Sequence, residues 1–230
     1  MAPLKLITLN VANSLVLGGL LSIIKVENPD IVCLQELTIT SGQLKLYVAK
    51  FGYNAEANID ILDITKLGTG IIWKSELPIS DVTSVIECRG QLAKLGPYNI
   101  LNLYAPSGGN NKTARRNFFG QEVFHLIRGL ESSPLLTGDF NCVLSAVDTE
   151  RHFRDKKCPA LQDLVTGFGY SDAYRFLNPG IAEFTFNRPN CAASRLDRFY
   201  TPPELVPHIK QVSHHGYLGD HHYVVLDACY

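Results

Sequence analysis

Acidic, amide, phenol and imidazole groups recur in this chain directly after short apolar runs, where strand ends would carry them. Asn10 follows Leu-Ile-Thr-Leu, Glu36 follows Ile-Val-Cys-Leu-Gln, and Tyr104 follows Ile-Leu-Asn-Leu. Asp139 and Asn141 follow Leu-Leu-Thr-Gly, and Asp197 follows Ser-Arg-Leu. Asp220, His221 and His222 stand between Leu218-Gly219 and the apolar run Tyr223-Val-Val-Leu. If these strands share one core, their ends converge on one rim. Such a rim suits a hard divalent cation and phosphate chemistry. Taken singly, each residue has a plainer reading. A carboxylate after a strand is commonly a turn former or a helix cap, and Gly-Asp-Phe-Asn reads equally well as a type I turn. Adjacent histidines on a strand point to opposite faces, so at most one of His221 and His222 enters a site. Asp139 and Asn141 face the same way in an extended segment, with Phe140 turned into the core.

The elements that must position these groups follow from the apolar patterning. Residues 4–9, 30–35 and 68–74 read as strands. Residues 15–26 carry apolar side chains at helical spacing, ended by Asn28-Pro29. Residues 41–51 read as a helix stopped by Gly52. Residues 82–95 and 98–104 read as consecutive strands across the turn dipeptide Gly96-Pro97. The clearest helix covers 113–130; a short buried strand, 134–138, leads into Asp139, and another helix covers 158–168. Alternation returns over 183–187, 195–200, 208–214 and 223–227. Strands outnumber helices, and two sheets packed face to face with helices outside fit this order.

Composition narrows the classes. The chain has 230 residues, of which 46% are hydrophobic, enough for a sizeable core in one domain. It has no run of eighteen apolar residues, so no membrane-spanning helix is expected. The first ten residues lack the marks of a secretory signal. A net charge of −1 argues against coating nucleic acid by bulk electrostatics, yet allows an enzyme that grips a few phosphates locally. The six cysteines, Cys33, Cys88, Cys142, Cys158, Cys191 and Cys229, lack zinc-site spacing and read as reduced thiols of an intracellular protein.

In order, Leu-Asn-Val, Leu-Gln-Glu, Leu-Tyr-Ala-Pro, Gly-Asp-Phe-Asn, Ser-Arg-Leu-Asp and Asp-His span Leu9 to Val225. This series resembles the exonuclease-endonuclease-phosphatase superfamily. The resemblance implies a four-layered α/β sandwich of two mixed sheets with the site at one edge. Gly-Asp-Phe-Asn-Cys-Val-Leu-Ser (138–145), Asp172 to Pro179, Phe184-Thr-Phe186 and Ser194 to Tyr200 are similar in wording to the endonuclease domains of LINE-type retrotransposons. That likeness implies one endonuclease domain over residues 1–230, excised from a longer nuclear protein with a downstream reverse transcriptase. Its expected activity is a nick in one strand of duplex DNA that leaves a 3′-hydroxyl for target-primed reverse transcription.

The resemblance also implies roles. Glu36 holds Mg2+, with Mn2+ able to substitute, and Asn10 sits beside it as an oxygen donor. Asp139 orients or deprotonates the attacking water, and Asn141 binds a phosphate oxygen or the metal. His221 contacts the scissile phosphate, oriented by Asp197 or Asp220. Tyr104 donates its phenol to the phosphate or leaving oxygen, and Thr185 contacts phosphate. Gly219 departs from the family, which carries serine there, so that contact is in doubt. Lys112, Arg115 and Arg116, then Arg151, Arg154, Lys156 and Lys157, are candidates for gripping DNA phosphates, or else a solvated surface. Arg188 and Asn190, on a segment between two expected strands, are candidate groove readers. Rival readings are an abasic-site repair endonuclease, a phosphatase or sphingomyelinase of the same superfamily, and a DNA-docking module that does not cut.

Overall fold

The computed structural model describes residues 3–12, 17–63 and 65–229. The chain runs β1 (Pro3–Asn10), α1 (Leu17–Glu27), β2 (Ile31–Leu37), α2 (Ser41–Val48), β3 (Tyr53–Asn58), β4 (Gly68–Lys74), β5 (Ile79–Ile86), β6 (Gly90–Leu95) and β7 (Tyr98–Tyr104). It continues with α3 (Lys112–Asn117), α4 (Phe124–Gly129), β8 (Leu135–Asp139), α5 (Phe153–Lys156), α6 (Pro159–Gly167), β9 (Ser171–Asp172), α7 (Ala173–Leu177), β10 (Asp197–Thr201), β11 (Ile209–Leu218) and β12 (His221–Cys229). The start of the expected first helix, residues 15 and 16, and residues 1 and 2 lie outside the described residues.

Two six-stranded sheets result, ordered β11-β12-β1-β2-β4-β3 and β5-β6-β7-β8-β10-β9. Both are mixed: β1–β2 and β7–β8 are parallel pairs, and their other pairs are antiparallel. Period-two alternation builds the layers. Leu6, Ile31, Cys33 and Leu226 meet Ile100, Leu135 and Phe199 between the sheets. Ile7, Leu9, Val32 and Leu34 face outward onto Leu20, Ile24, Leu44 and Val48 of α1 and α2. Leu101, Leu103 and Leu136 face outward on the second sheet, onto Phe118, Val123, Ile127 and Leu161. Helices, sheet, sheet and helices therefore form four layers, as the resemblance implied.

Toward one end the layer between the sheets turns polar. Gln35 donates from Nε2 to Asn102 Oδ1 at 2.8 Å and to Thr8 Oγ1 at 3.0 Å. Asn102 Nδ2 donates to the carbonyls of Leu34 and Gly70, each at 3.0 Å. These bonds satisfy the buried Gln35, Asn102 and Thr8 side chains and fix how the sheets sit against each other just below the strand ends.

Several expectations change. Residues 82–95 are not one strand but the hairpin β5–β6, turned at Glu87-Cys88-Arg89 with Cys88 at φ 56°. β3 is a strand that the apolar pattern does not mark. The long helix of 113–130 contains a π-type turn over Phe118–Val123, with Phe118, Phe119 and Val123 buried. Residues 183–187 form no strand; Phe186 makes isolated bridges to Ser194 and His221.

Candidate metal-dependent active site

Topology explains the convergence. β1, β2, β7 and β8 end at the same rim at which the antiparallel strands β10 and β12 begin. Register aligns Tyr104 and Asp197 on either side of Asp139 across the second sheet, and Asn10 with Gln35 across the first. The rim therefore receives Asn10, Glu36, Tyr104, Asp139, Asn141, Asp197 and His221, seven of the eight expected catalytic residues.

Glu36 reaches the rim through backbone distortion. The β2–β4 register slips between Gln35 and Leu37, and Glu36 takes φ 59°. This bulge lets Gln35 stay buried between the sheets while the next side chain turns to the site. A non-glycine residue held in the left-handed region is strained by about 1 kcal/mol or more, a distortion that the surrounding bonds maintain. Glu36 Oε1 accepts from Asn10 Nδ2 at 3.1 Å and from the Tyr104 hydroxyl at 3.2 Å.

Gly-Asp-Phe-Asn is a tight turn with chemistry at both polar positions. A Cβ at Gly138 would lie 1.9 Å from the Leu103 carbonyl oxygen, so only glycine fits. Phe140 is fully buried and stacks on Phe119 at 5.9 Å. Asn141 is not extended but left-handed, at φ 48°. It meets Asp139 by curling back: its amide donates to Asp139 Oδ1 at 2.9 Å and its Nδ2 to Oδ2 at 3.1 Å. Asp139 Oδ2 also accepts from Asn10 Nδ2 at 3.0 Å. Burial pushes the Asp139 carboxyl up to about 7, with Asp197 adding to the rise and His221 opposing it.

His221 Nδ1 faces Asp197 Oδ2 at 2.9 Å. Burial alone pulls this imidazole down, but the adjacent Asp197 carboxylate, with Asp139 and Asp220 behind it, raises it to about 10. It is therefore an imidazolium at neutral pH, with Nε2 as a second donor. Burial, Glu36 and Asp139 also raise the Tyr104 phenol, which stays a proton donor.

Three expected roles, those of Asn10, Thr185 and Arg115, are corrected, and one open choice, between Asp197 and Asp220, closes. Asn10 offers nitrogen, not oxygen: its Oδ1 accepts from Ala12 N at 2.9 Å, and its NH2 bridges Glu36 and Asp139. Asp197 orients His221; the Asp220 side chain makes none of the site's hydrogen bonds, and its carbonyl accepts from Asn187 N. The buried Thr185 hydroxyl accepts from Leu196 N at 2.9 Å and Asp197 N at 3.0 Å, so it braces Asp197. Arg115 is buried and donates to the carbonyls of Pro106 and Gly108, tying down the turn after Tyr104 instead of facing phosphate.

Arg116, Arg151, Arg154, Lys157, Arg188 and Asn190 are exposed. Lys112 is also exposed but pairs with Asp155. Lys156 is spent on Ala192 O and Ser194 Oγ, at the base of the segment carrying Arg188 and Asn190. Gly219 has φ 72° in the two-residue loop between Leu218 and His221, the conformation that a type II′ hairpin requires at its first position. A serine there would be strained by about 1 kcal/mol. His222 points away and bonds the His215 carbonyl.

The residue types do not announce a buried ion cluster that lies next to Asp197 in the chain. Arg195 donates to Asp148 Oδ1 at 2.9 Å and grips Asp172 through both terminal nitrogens, and Arg175 shares Asp148. Arg195 and Arg198 are fully buried. Burial alone would raise the Asp148 carboxyl, but Arg198, Arg195 and Arg175 overrule it and hold it at about 2, against an ordinary value of 3.8. A carboxylate held below its unfolded value stabilises the fold fully above that value. The contribution is lost as pH falls through the folded one. About 2 kcal/mol of stability is expected to disappear between pH 4 and 2. Acid unfolding followed by circular dichroism checks this: Asp148→Asn should be less stable at pH 7 and show a flatter acid limb.

The residues present fit a divalent cation. Ligand atoms of Asp139, Asp197 and His221 lie within 4.8 Å of one another. His221, charged and bonded to Asp197, is a donor in this state, so the carboxylates of Glu36, Asp139 and Asp197 are the better ligands. Asp197 Oδ1 is buried with no hydrogen-bond partner among the described residues, an orphaned acceptor of the kind a cation satisfies.

Comparison with known proteins agrees with the geometry. The model of the endonuclease/exonuclease/phosphatase family matches residues 7–221, and the chain belongs to that family. All three activities in that name hydrolyse phosphate esters. A Dictyostelium discoideum DNA-(apurinic or apyrimidinic site) endonuclease is 26% identical over 234 residues, 90% of this chain and 64% of the relative. The chain thus spans a little under two thirds of that relative's length. The Neisseria 3′ phosphatase NExo, solved with a product DNA hairpin, superposes with a TM-score of 0.82 at 17% identity, over 99% of this chain and 100% of that one. An AP endonuclease from Archaeoglobus fulgidus gives 0.79 at 18% identity over 97% and 98%. AP endonuclease LMAP from Leishmania major gives 0.78 at 17% over 99% and 88%. These likenesses establish the shared fold.

Proposed function

We propose that the protein is a DNA endonuclease that uses a divalent cation, Mg2+ or in its place Mn2+, to hydrolyse a phosphodiester bond. One observation carries the reading. Three carboxylates, an imidazolium and a phenol from five distant strand ends meet on one rim. Asp139, once deprotonated, accepts a proton from the attacking water. His221 donates from Nε2 to the scissile phosphate, and Asp197 keeps it charged. Tyr104 donates toward the leaving oxygen, and the Asn141 side-chain oxygen, free of the bonds above, is available to a ligand. The cation, when bound, stabilises charge on the phosphoryl oxygens.

The relatives favour abasic sites in duplex DNA as the substrate. The second reading is nicking of intact duplex DNA by a retrotransposon-type nuclease, with a downstream reverse transcriptase and nuclear location. It rests on the wording of residues 138–145 and 172–200. Incubating supercoiled plasmid and a duplex with one abasic site, each with Mg2+ and with EDTA, tests both. Cleavage confined to the abasic duplex supports the first; open circles from intact plasmid support the second. Binding to DNA with no cut in either substrate contradicts both and favours a docking module.

A further inference from the structure

A cleft of about 770 Å3 opens beside Tyr104, walled in part by Arg89, Lys66, Ser107 and Asn111. Lys66 is neutralised there, by Asp60 at 2.8 Å and Glu87 at 3.2 Å. Arg89 forms no ion pair among the described residues. Its guanidinium carbon lies 5.1 Å from the centre of the Tyr104 ring, and Nη1 donates to the Tyr104 carbonyl at 3.1 Å. The rest of its fork of five N–H donors makes no hydrogen bond among the described residues.

This cation is held firmly. The Cys88 amide, in the β5–β6 turn, donates to Asn58 Oδ1 at 3.2 Å. Asn58 Nδ2 donates back to Ile86 O at 2.7 Å and Gly90 O at 3.1 Å. Tyr104 N donates to Arg89 O at 2.9 Å. The end of β3 thus plugs a turn of the opposite sheet and fixes Arg89 against the residue that touches Glu36. A strand entering a rim of carboxylates meets repulsion, and an unpaired guanidinium on the approach offsets it.

We propose that Arg89 grips the phosphate next along the strand from the one cut, and that the same side chain positions the Tyr104 phenol. The proposal rests on the DNA-endonuclease reading. Arginine suits both tasks, because its flat fork stacks on the phenol ring while its outer nitrogens face phosphate oxygens. The strand on the Tyr104 side of the scissile bond therefore lies in this cleft.

The test is the salt dependence of kcat/KM for duplex cleavage by the wild type, Arg89→Ala and Arg89→Lys. Losing one phosphate contact should flatten the slope of log kcat/KM against log salt by about 0.9 in Arg89→Ala. KM should rise roughly tenfold, the scale of one charged hydrogen bond. Arg89→Lys should keep the slope, since the charge remains, and lose kcat, since the flat stacking partner is gone. Thermal unfolding checks the fold of each variant. Should Arg89→Ala fail to fold, Arg89→Gln, which lacks the charge but keeps length and donors, is held to the same slope. A wild-type slope in the uncharged variant overturns the phosphate contact. A wild-type kcat in Arg89→Lys overturns the hold on Tyr104. A wild type that cuts no DNA takes down the endonuclease reading itself, and that result comes first, ahead of any variant.

Discussion

Asp139→Asn is expected to slow DNA cleavage by about 10²-fold or more while leaving the protein folded, because relief of a buried charge offsets the NH2 that then faces the Asn10 and Asn141 donors. Asparagine keeps the size of the side chain and one acceptor oxygen for the amide of Asn141. It cannot take a proton from water. The stability half follows from the environment: burial, with Asp197 close by, raises the carboxyl to about 7. A carboxylate whose folded value exceeds its unfolded value weighs against folding once pH rises above the unfolded one. Removing that charge relieves the penalty at pH 8. Single-turnover cleavage and thermal unfolding at pH 8, run on the same preparations, decide the matter. A variant that is slow because it is unstable would show Asp139 to be structural.

Asp197→Asn should cost a similar or larger factor, about 10² to 10³-fold at pH 8. It should also change the pH profile. In the wild type the imidazolium persists until pH approaches about 10, because Asp197 outweighs burial. An amide in its place leaves burial to act, so the imidazole falls toward or below its ordinary 6.5. The alkaline limb of the rate profile should accordingly move down by several pH units. The deficit relative to the wild type at the same pH should shrink at pH 5 to 6, where the imidazole recharges, although protonation of Asp139 slows both proteins there. The double variant Asp197→Asn/His221→Gln should be no slower than the worse single one, because the two act as one unit. Multiplied losses in the double variant would mean that the residues work separately. His221→Ala alone is a poor probe, since it strands a buried carboxylate and destabilises the fold by about 3–5 kcal/mol.

Much of this site is legible in the order of residue types alone, because apolar runs ending in polar residues at regular intervals describe strand ends on a rim. Glu36, Tyr104, Asp139 and His221 are readable on that ground. What the sequence hides has physical causes. Asp197 and Asp220 are equal candidates by order, and only sheet register sets Asp197 opposite Asp139. Asn10 reads as an oxygen donor until the Ala12 amide claims its oxygen. Arg115, Arg195 and Arg198 carry charges that composition assigns to the surface, yet partners buried with them draw them inside. Thr185 lies in a segment that alternates like a strand, but its hydroxyl does the work of a ladder bond. β3 leaves no mark in the sequence because Tyr-Asn-Ala-Glu-Ala-Asn has little strand propensity; its place at the sheet edge asks for none. The turn at Cys88 has no glycine at its left-handed position, and Asn58 compensates from the other sheet.

The central claim is that distant carboxylates form one cation site that drives phosphodiester hydrolysis. Titrating Mg2+ into a cleavage assay of the wild type and Glu36→Gln addresses it most directly. Cleavage should be absent in EDTA, rise with Mg2+, and in Glu36→Gln need at least roughly tenfold more cation for half-maximal rate, the usual scale for a lost ligand or its support. Cleavage that persists in EDTA, or one Mg2+ curve for both proteins, would contradict it.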